Sequence, residues 1–475
     1  MTPATLTGTA ARATWTPTAA EKLTARLDRL PMAQTMWAMT LLLSLGGFFD
    51  GYAIGLIGAV APGLFHSKIM TATTVGFFGI TGFASYVAAF FAGLFVAALF
   101  GSYVADRFGR RVIFAVSLLW FGIANFIMGF QTTADGLDIW RFISALGVGL
   151  ELVTIDAYLA ELVPKRVRGA AFGFMLGITG LSGPVIYLIS SRLAPPVTLL
   201  GQDGWRWVVW IGSVAAILVW WVRLGLPESP RWLAQQGRVE EAEKVMAGIE
   251  ARAEAESGRP LPVPDAPQFQ DPRKGNWSEI FDPRYRTRTI MLMLFNFFQT
   301  VGYYGFFAWI PTLLIKKGIH VTQSLEYTAI IMIAQTLFPF IVMSFADKME
   351  RKWQICTSCF LIAVFGMWFS ALTSAVGLIL LGACLAASTQ WMAYGLHNYQ
   401  SELYPTRIRA RAVGFVYSWS RLAGVLTPFF VAYFLRVGGV AGVFAFVAAS
   451  LAVVIVSVAA MGPRTANLEL EAIAH

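Results

Sequence analysis

The chain has 475 residues, of which 57% are hydrophobic and only 13% charged, with a formal net charge of +9 at pH 7. That balance lies outside the range of soluble globular domains and is the composition of a protein dissolved in lipid. The excess of Lys and Arg falls in short loops between apolar runs, so it is explained by a membrane surface and gives no reason to invoke nucleic acid.

Residues 1–35 open the chain as a polar, Thr- and Ala-rich segment without the short apolar run of a signal peptide, so no cleaved leader is expected. Within it Thr18 and Glu21 form a capping-box pattern that starts a short amphipathic helix, ended by Pro31. Crossing a hydrocarbon core of ~30 Å takes roughly 20 helical residues. Runs of that length predict six spans at 36–60, 73–100, 111–130, 137–160, 169–192 and 206–225. Six more follow at 288–312, 325–345, 354–374, 376–401, 411–434 and 439–461. Long single runs of this kind make an all-α membrane bundle rather than a β-barrel, whose strands would alternate over ~10 residues.

The sets 36–225 and 288–461 read as two six-helix bundles, separated by a central loop at 226–287 that is rich in charge, Pro and Gly. In that loop Trp232, Leu233, Val239, Ala242, Val245, Met246 and Ile249 recur at helical spacing, which predicts one or two amphipathic helices before a flexible linker at 257–275. Residues 462–475 form a short tail. Lys and Arg cluster on one side: Lys22, Arg26 and Arg29; Arg107, Arg110 and Arg111; Lys165, Arg166 and Arg168; Lys348, Arg351 and Lys352; Arg407, Arg409 and Arg411. Positive loops stay cytoplasmic. Both termini are therefore expected inside, in a multi-pass protein of the plasma membrane, the inner membrane if the source is bacterial.

Cys356 and Cys359 form a CxxC pair in an apolar helix without a second pair to complete a zinc site, and Cys384 stands apart. No metal or cofactor is expected. The chain also has no phosphate loop and no nucleophile with a base at usable spacing, which argues against an enzyme.

The two halves echo each other. DRFGRR at 106–111 answers to DKMERK at 347–352, and ELVPKRVRGAAFGF at 161–174 answers to ELYPTRIRARAVGF at 402–415, both at an offset of 241. GFFDG at 47–51 answers to NFFQT at 296–300 at an offset of 249, which also carries Pro62 onto Pro311. Two copies of one six-helix unit are the architecture in which secondary transporters rock around a midplane site.

Charges deep in the spans mark the candidate site. Asp50 stands about 15 residues into helix one, about 22 Å from its inner end at 1.5 Å per residue. A carboxylate there costs several kcal/mol when charged and unpaired, so Asp50 is expected to cycle between a protonated and an ionised form. Helix four runs the other way, placing Arg141 within roughly two turns of the same depth; the two are expected to meet or exchange partners. Glu151 lies near the midplane and Asp156 nearer the cytoplasm, ~140° apart around helix four, so one helix face cannot hold both and Glu151 is the cavity candidate. Arg421 is the deep cation of the second half, at a place where the repeat has Gly180. Around it gather Phe298, Gln299, Tyr303 and Tyr304 on helix seven, Trp391, Tyr394 and His397 on helix ten, and Tyr417 and Trp419 on helix eleven. Of these, Gln299, Tyr303, Trp391, Tyr394 and Tyr417 are the candidates for a cage around a planar ligand. His397 either titrates near neutral pH or serves as a hydrogen-bonded structural residue.

With SYVADRFGRR between helices two and three, ELVPKRVRG and ELYPTRIR after helices four and ten, and LPESPRWL at 226–233, the chain resembles the major facilitator superfamily over nearly its whole length, in particular the sugar porters and the organic cation and anion transporters. The first of these motifs departs from the superfamily pattern at Ser102, where a Gly is usual. The resemblance implies cytoplasmic latches that form in one state and break in another: Asp106, Arg110, Glu161 and Arg168 in the first half, Asp347, Arg351, Glu402 and Arg409 in the second, with Glu228 and Arg231 joining from the central loop. It implies proton coupling through Asp50 and the Arg141 that precedes Gly147 and Gly149; Glu151 joins them as a candidate by its depth in helix four. The spacing of Arg421 to Pro428 resembles that of organic anion transporters, which implies a substrate anion on Arg421. The expected function is import of a small organic, aromatic or heteroaromatic, carboxylate together with protons, by a chain acting as a monomer in the lipid bilayer.

Two other functions remain on the same fold. A sugar or polyol symporter is disfavoured because helix seven lacks the tandem glutamines of sugar porters and MGPRTA at 461–466 is not their PET-type sequence. A proton-driven drug or metabolite exporter is disfavoured because GLSGPVIYL follows Gly183 and Pro184 with Val185, Ile186 and Tyr187 in place of paired glycines.

Overall fold

A computed structural model describes residues 18–71, 73–77, 79–265, 277–343, 349–404 and 406–465. Twelve crossing helices account for most of it. The first six are Gln34–His66, Phe83–Phe108, Arg110–Met128, Ala134–Leu162, Arg168–Arg192 and Gly204–Arg223. The seventh is Pro283–Phe307, continued after a short break by Ile310–Lys316, and the next three are Val321–Met343, Arg351–Ala371 and Ala375–Glu402. Helices eleven and twelve share the stretch Thr406–Met461, divided at Gly439, whose φ of 60° breaks the helical path.

The expected spans overlap all of these, and the starts that differ by five residues or more are those of helices two, seven and eleven, the last beginning at Thr406 rather than 411. Helix seven begins at Pro283, five residues before the expected 288, because Pro at the first helical position needs no partner for a backbone N–H. Helix two begins at Phe83 rather than 73. The apolar run before it is a turn, in which Gly79 and Gly82 take φ of 72° and 71° and Val75 bridges to Thr81. Hydropathy alone cannot separate such a loop from the helix it precedes.

Helix three shows why the bundle needs lipid. Val112, Val116, Trp120, Ile123 and Phe126 recur every three or four residues and are exposed, whereas Phe114, Ser117, Leu118 and Phe121 on the other side are buried. An exposed apolar stripe of this length would be a liability in water and is a requirement in hydrocarbon.

One face carries the expected Arg and Lys clusters, and a separate small core forms there. The N-terminal helix Ala19–Asp28 starts with the expected capping box, Thr18 and Glu21 each accepting from the other's backbone. It buries Leu23 and Leu27 against Trp232 and Leu233 of the loop helix Pro230–Gln235 and Met246 and Ile249 of Val239–Ser257. Arg26 and Arg29 reach Glu250 at 2.6 Å each, and Arg26 also pairs with Glu243. Burial raises the Glu250 carboxyl, but the bonds from Arg26 and Arg29 outweigh it and hold the group below the usual Glu range. This contact therefore adds stability above the ordinary Glu value and loses it as pH falls through the lowered one.

On the opposite face the halves touch. Phe83 meets Trp309 edge-on at 5.5 Å, and Gly58 leaves room for the Ala308 carbonyl and Pro311. Closer to the middle, Thr336 of helix eight donates to the Gly180 carbonyl of helix five at 2.8 Å, and Phe91 of helix two packs on Gly424 of helix eleven.

Within the first half, Gly93 lets helices two and four approach to backbone contact: a Cβ there would lie 2.5 Å from the Phe142 carbonyl oxygen and 2.7 Å from the Ala145 Cβ. Gly93→Ala should therefore cost about 1–3 kcal/mol through overpacking, read as a lower melting temperature in detergent. Gly248→Ala, on a loop helix with nothing within 4 Å, should be neutral or stabilising by up to about 1 kcal/mol.

Candidate functional site

Asp50 is buried, at 3% exposure, halfway along helix one, and its Oδ2 has no hydrogen-bond partner. The charges acting on it come from Glu151, Arg223, Asp156 and Arg421, so it looks both to its own half and across to helix eleven. The expected meeting with Arg141 does not occur. Arg141, at 0% exposure, donates from Nη2 to the Ala53 carbonyl at 2.6 Å and lies over the rings of Phe90 at 4.3 Å and Tyr86 at 5.0 Å. The depth argument placed it in the right layer, but two aromatic faces of helix two hold the guanidinium one turn beyond Asp50 on helix one.

Glu151 has a partner that the sequence reading overlooked. Arg223, in the last turn of helix six, pairs with it at 2.9 Å, and the two side chains are 0% and 1% exposed. Ser117 donates to Glu151 at 3.4 Å, and the Arg223 guanidinium covers the Phe114 ring at 3.9 Å. Four helices, one, three, four and six, thus close on one ion pair. Asp138 is a second buried acid that went unnoticed. It accepts from Ser85 Oγ and from the Phe77 N–H at 3.2 Å, and so ties the helix one to two loop to helix four.

In the second half, Arg421 is half-buried, with its guanidinium 5.1 Å over the Tyr417 ring. Among the described residues no carboxylate lies within ion-pair distance of it. His397 sits on the other side of Tyr417, 5.8 Å between rings, and approaches Gln400 at 3.4 Å. Tyr303 accepts from Gln335 at 2.8 Å and packs 5.0 Å from Tyr304, whose ring lies 4.4 Å from Phe91 of helix two. Tyr304, grouped with the aromatics but left out of the candidate cage, is the ring that meets the first half, at Phe91. Gln299 is buried and spends its amide on Thr300 at 2.9 Å, and the Trp391 indole reaches Gln354 at 3.4 Å. Tyr394 and Trp391 are both half-buried.

Asp156 and His397 hold equivalent places in the repeat, at the offset of 241, and both are exposed although their neighbours Ile155 and Leu396 are buried. Each stands five residues before the latch glutamate of its helix, Glu161 or Glu402.

The latches follow the repeat. Arg110 pairs with Glu161 at 3.5 Å and Arg351 with Glu402 at 3.4 Å, the same contact twice at the offset of 241. Glu228 accepts from the Arg110 and Arg111 backbone N–H groups at 3.1 Å each and from Ser229 at 2.9 Å, capping helix three from the central loop. Burial raises its carboxyl above the usual range, against those three bonds and the Arg110 charge. Arg168 donates to the Val163 carbonyl at 3.4 Å, and Arg231 lines a shallow cleft with Glu161 and Arg168. Asp347 lies outside the described residues, as do the side chains of Asp106 and Arg409.

The family model of the sugar (and other) transporters matches residues 39–475. The niacin transporter NiaP of Acinetobacter baylyi is 28% identical, covering 86% of this chain and 90% of its own. The inner membrane metabolite transport protein YdjE of Escherichia coli is 27% identical over 96% of this chain and 99% of its own. The crystal structure of a D-xylose-proton symporter superposes with a TM-score of 0.70 at 18% identity, covering 90% of this chain and 98% of that one. A twelve-helix fold shared with that symporter, paired latches and charges buried between the helices are what a multi-pass transporter requires and an enzyme does not. The chain belongs to the sugar (and other) transporter family of the major facilitator superfamily.

Proposed function

We propose that the protein is a proton-coupled symporter that imports a small aromatic or heteroaromatic carboxylate, with both termini in the cytoplasm. The observation that carries this reading is Arg421: a guanidinium inside the bundle, seated over the Tyr417 ring, with no protein carboxylate at ion-pair distance among the described residues. A substrate carboxylate would complete it with a two-toothed contact, and the surrounding rings of Tyr303, Tyr304 and Tyr417 offer faces for a planar body. A relative that transports niacin, a pyridine carboxylate, supports the same substrate class.

Asp50 supplies the coupling. Its charge and that of Arg421 act on each other across the space between the halves. With the proton on Asp50 and an anion on Arg421 the site is neutral and free to close. Loss of the proton toward the basic face and release of the anion return it to the unloaded state. Each step changes which helix packing is favoured, which is all that alternating access needs.

A sugar symporter is the second reading, favoured by the family description and by the fold shared with a xylose symporter. Uptake into proteoliposomes separates the two. Nicotinate or benzoate should accumulate only when the proton gradient points inward, and xylose should not compete; accumulation of the sugar, or uptake indifferent to the gradient, would overturn the proposal. Arg421→Ala should weaken anionic substrates roughly ten- to a hundredfold, as expected for loss of a charge-assisted hydrogen bond, and neutral amide analogues much less. Equal losses would assign Arg421 to packing. Asp50→Asn should abolish accumulation while exchange across a membrane without a gradient continues; a variant that still concentrates substrate would remove Asp50 from the coupling step.

A further inference from the structure

The pair Glu151–Arg223 lies where helix one has no side chain. A Cβ on Gly46 would fall 2.0 Å from Arg223 Nη2 and 2.2 Å from Glu151 Oε1, so the pair fills the notch left by that glycine. Asp50 is four residues further along the same helix, one turn and about 6 Å away on the same face. Its Oδ2 lacks a partner, and so do Nε and Nη2 of Arg223. The guanidinium therefore has spare donors next to a carboxylate with a spare acceptor, both inside the protein. Asp156 of helix four and Arg421 of helix eleven are the other charged groups within electrostatic reach of Asp50.

We infer that Asp50, Glu151 and Arg223 form a single coupling unit that holds one proton between two carboxylates, with Arg223 pairing whichever carboxylate lacks it. Two acids and one guanidinium are neutral with exactly one proton on board. In the arrangement seen here Arg223 is on Glu151, so the proton belongs on Asp50. The alternative places the proton on Glu151 and Arg223 on Asp50; it breaks one ion pair, makes another and leaves the total charge unchanged. Glu151 is nearer the basic face than Asp50, because Gly46 precedes Asp50 on a helix that starts there. The exchange thus moves the proton one turn toward that face, where Asp156 on the same helix is exposed. Arg141, held on the Ala53 carbonyl beyond Asp50, stays outside the exchange.

This inference rests on the proton-coupled reading, and the test keeps the two apart. The charge-balanced double variant Glu151→Gln with Arg223→Gln leaves neither partner alone in the notch. In proteoliposomes it should retain counterflow exchange within about threefold of the wild type while gradient-driven accumulation falls tenfold or more, because Asp50 has lost both its relay and its counter-ion. Accumulation within twofold of the wild type would overturn the proposal and make the pair a structural clamp, as would loss of counterflow with an unchanged melting temperature. Should the double variant not fold, infrared difference spectra on adding nicotinate to the wild type decide. Two protonated-carboxyl bands of opposite sign are expected, one absent in Asp50→Asn and the other in Glu151→Gln, whereas a single band would contradict a shared proton. Wild-type uptake that ignores the gradient would instead sink the coupling reading itself.

Discussion

A carboxylate that cannot reach water has three ways to exist: neutral, paired with a cation, or bonded to several donors. Asp50 has an oxygen without a donor and no cation within ion-pair distance among the described residues. The proposed coupling gives it the first of these in this arrangement. Everything nearby is consistent with a group that must leave that state by changing partners. Arg223 is committed to Glu151, Arg141 is committed to a backbone carbonyl and two rings, and Arg421 of the other half lies over the Tyr417 ring. Three cations surround one acid and none is bonded to it.

The two halves divide the work unequally although they are copies. The latch contacts repeat almost to the tenth of an ångström, Arg110 to Glu161 and Arg351 to Glu402, because each fixes the same helix ends at the same face. The interior does not repeat. Asp50 corresponds to Gln299, and Arg421 to Gly180, which is where helix eight packs against helix five. Under the proposed function the repeated frame carries two different linings, one that titrates and one that binds an anion, coupled through the interface between the halves.

Most of the frame was legible in the sequence because two of its signals are long. Twenty apolar residues cannot be mistaken for a strand, and loop motifs recurring at one offset mark a duplication; the latch pairs could be named from that offset before any coordinates. The capping box of Thr18 and Glu21 was equally plain, because its chemistry is contained in four residues. The interior of the site was less legible. Arg223 ends an apolar run, where a charge reads as the first loop residue, and nothing in its neighbours shows that the Gly46 notch is waiting for it. Arg141 was placed by depth, yet depth fixes only the layer; the direction of a side chain around the helix is chosen by its neighbours, here Tyr86 and Phe90. Tyr417 was one aromatic among several, and only the fold distinguishes the ring that meets Arg421 from those that merely pack. The start of helix two failed for the opposite reason, since an apolar turn and an apolar helix have the same hydropathy.

The central claim is that the ionisation of Asp50 is linked to occupation of the site. Proton exchange by the purified protein in weakly buffered detergent, followed with a pH indicator while nicotinate is added, tests it without any membrane or gradient. The account predicts a change in bound protons that saturates with the substrate and disappears in Asp50→Asn even where the variant still binds. The same proton change in wild type and variant would contradict it.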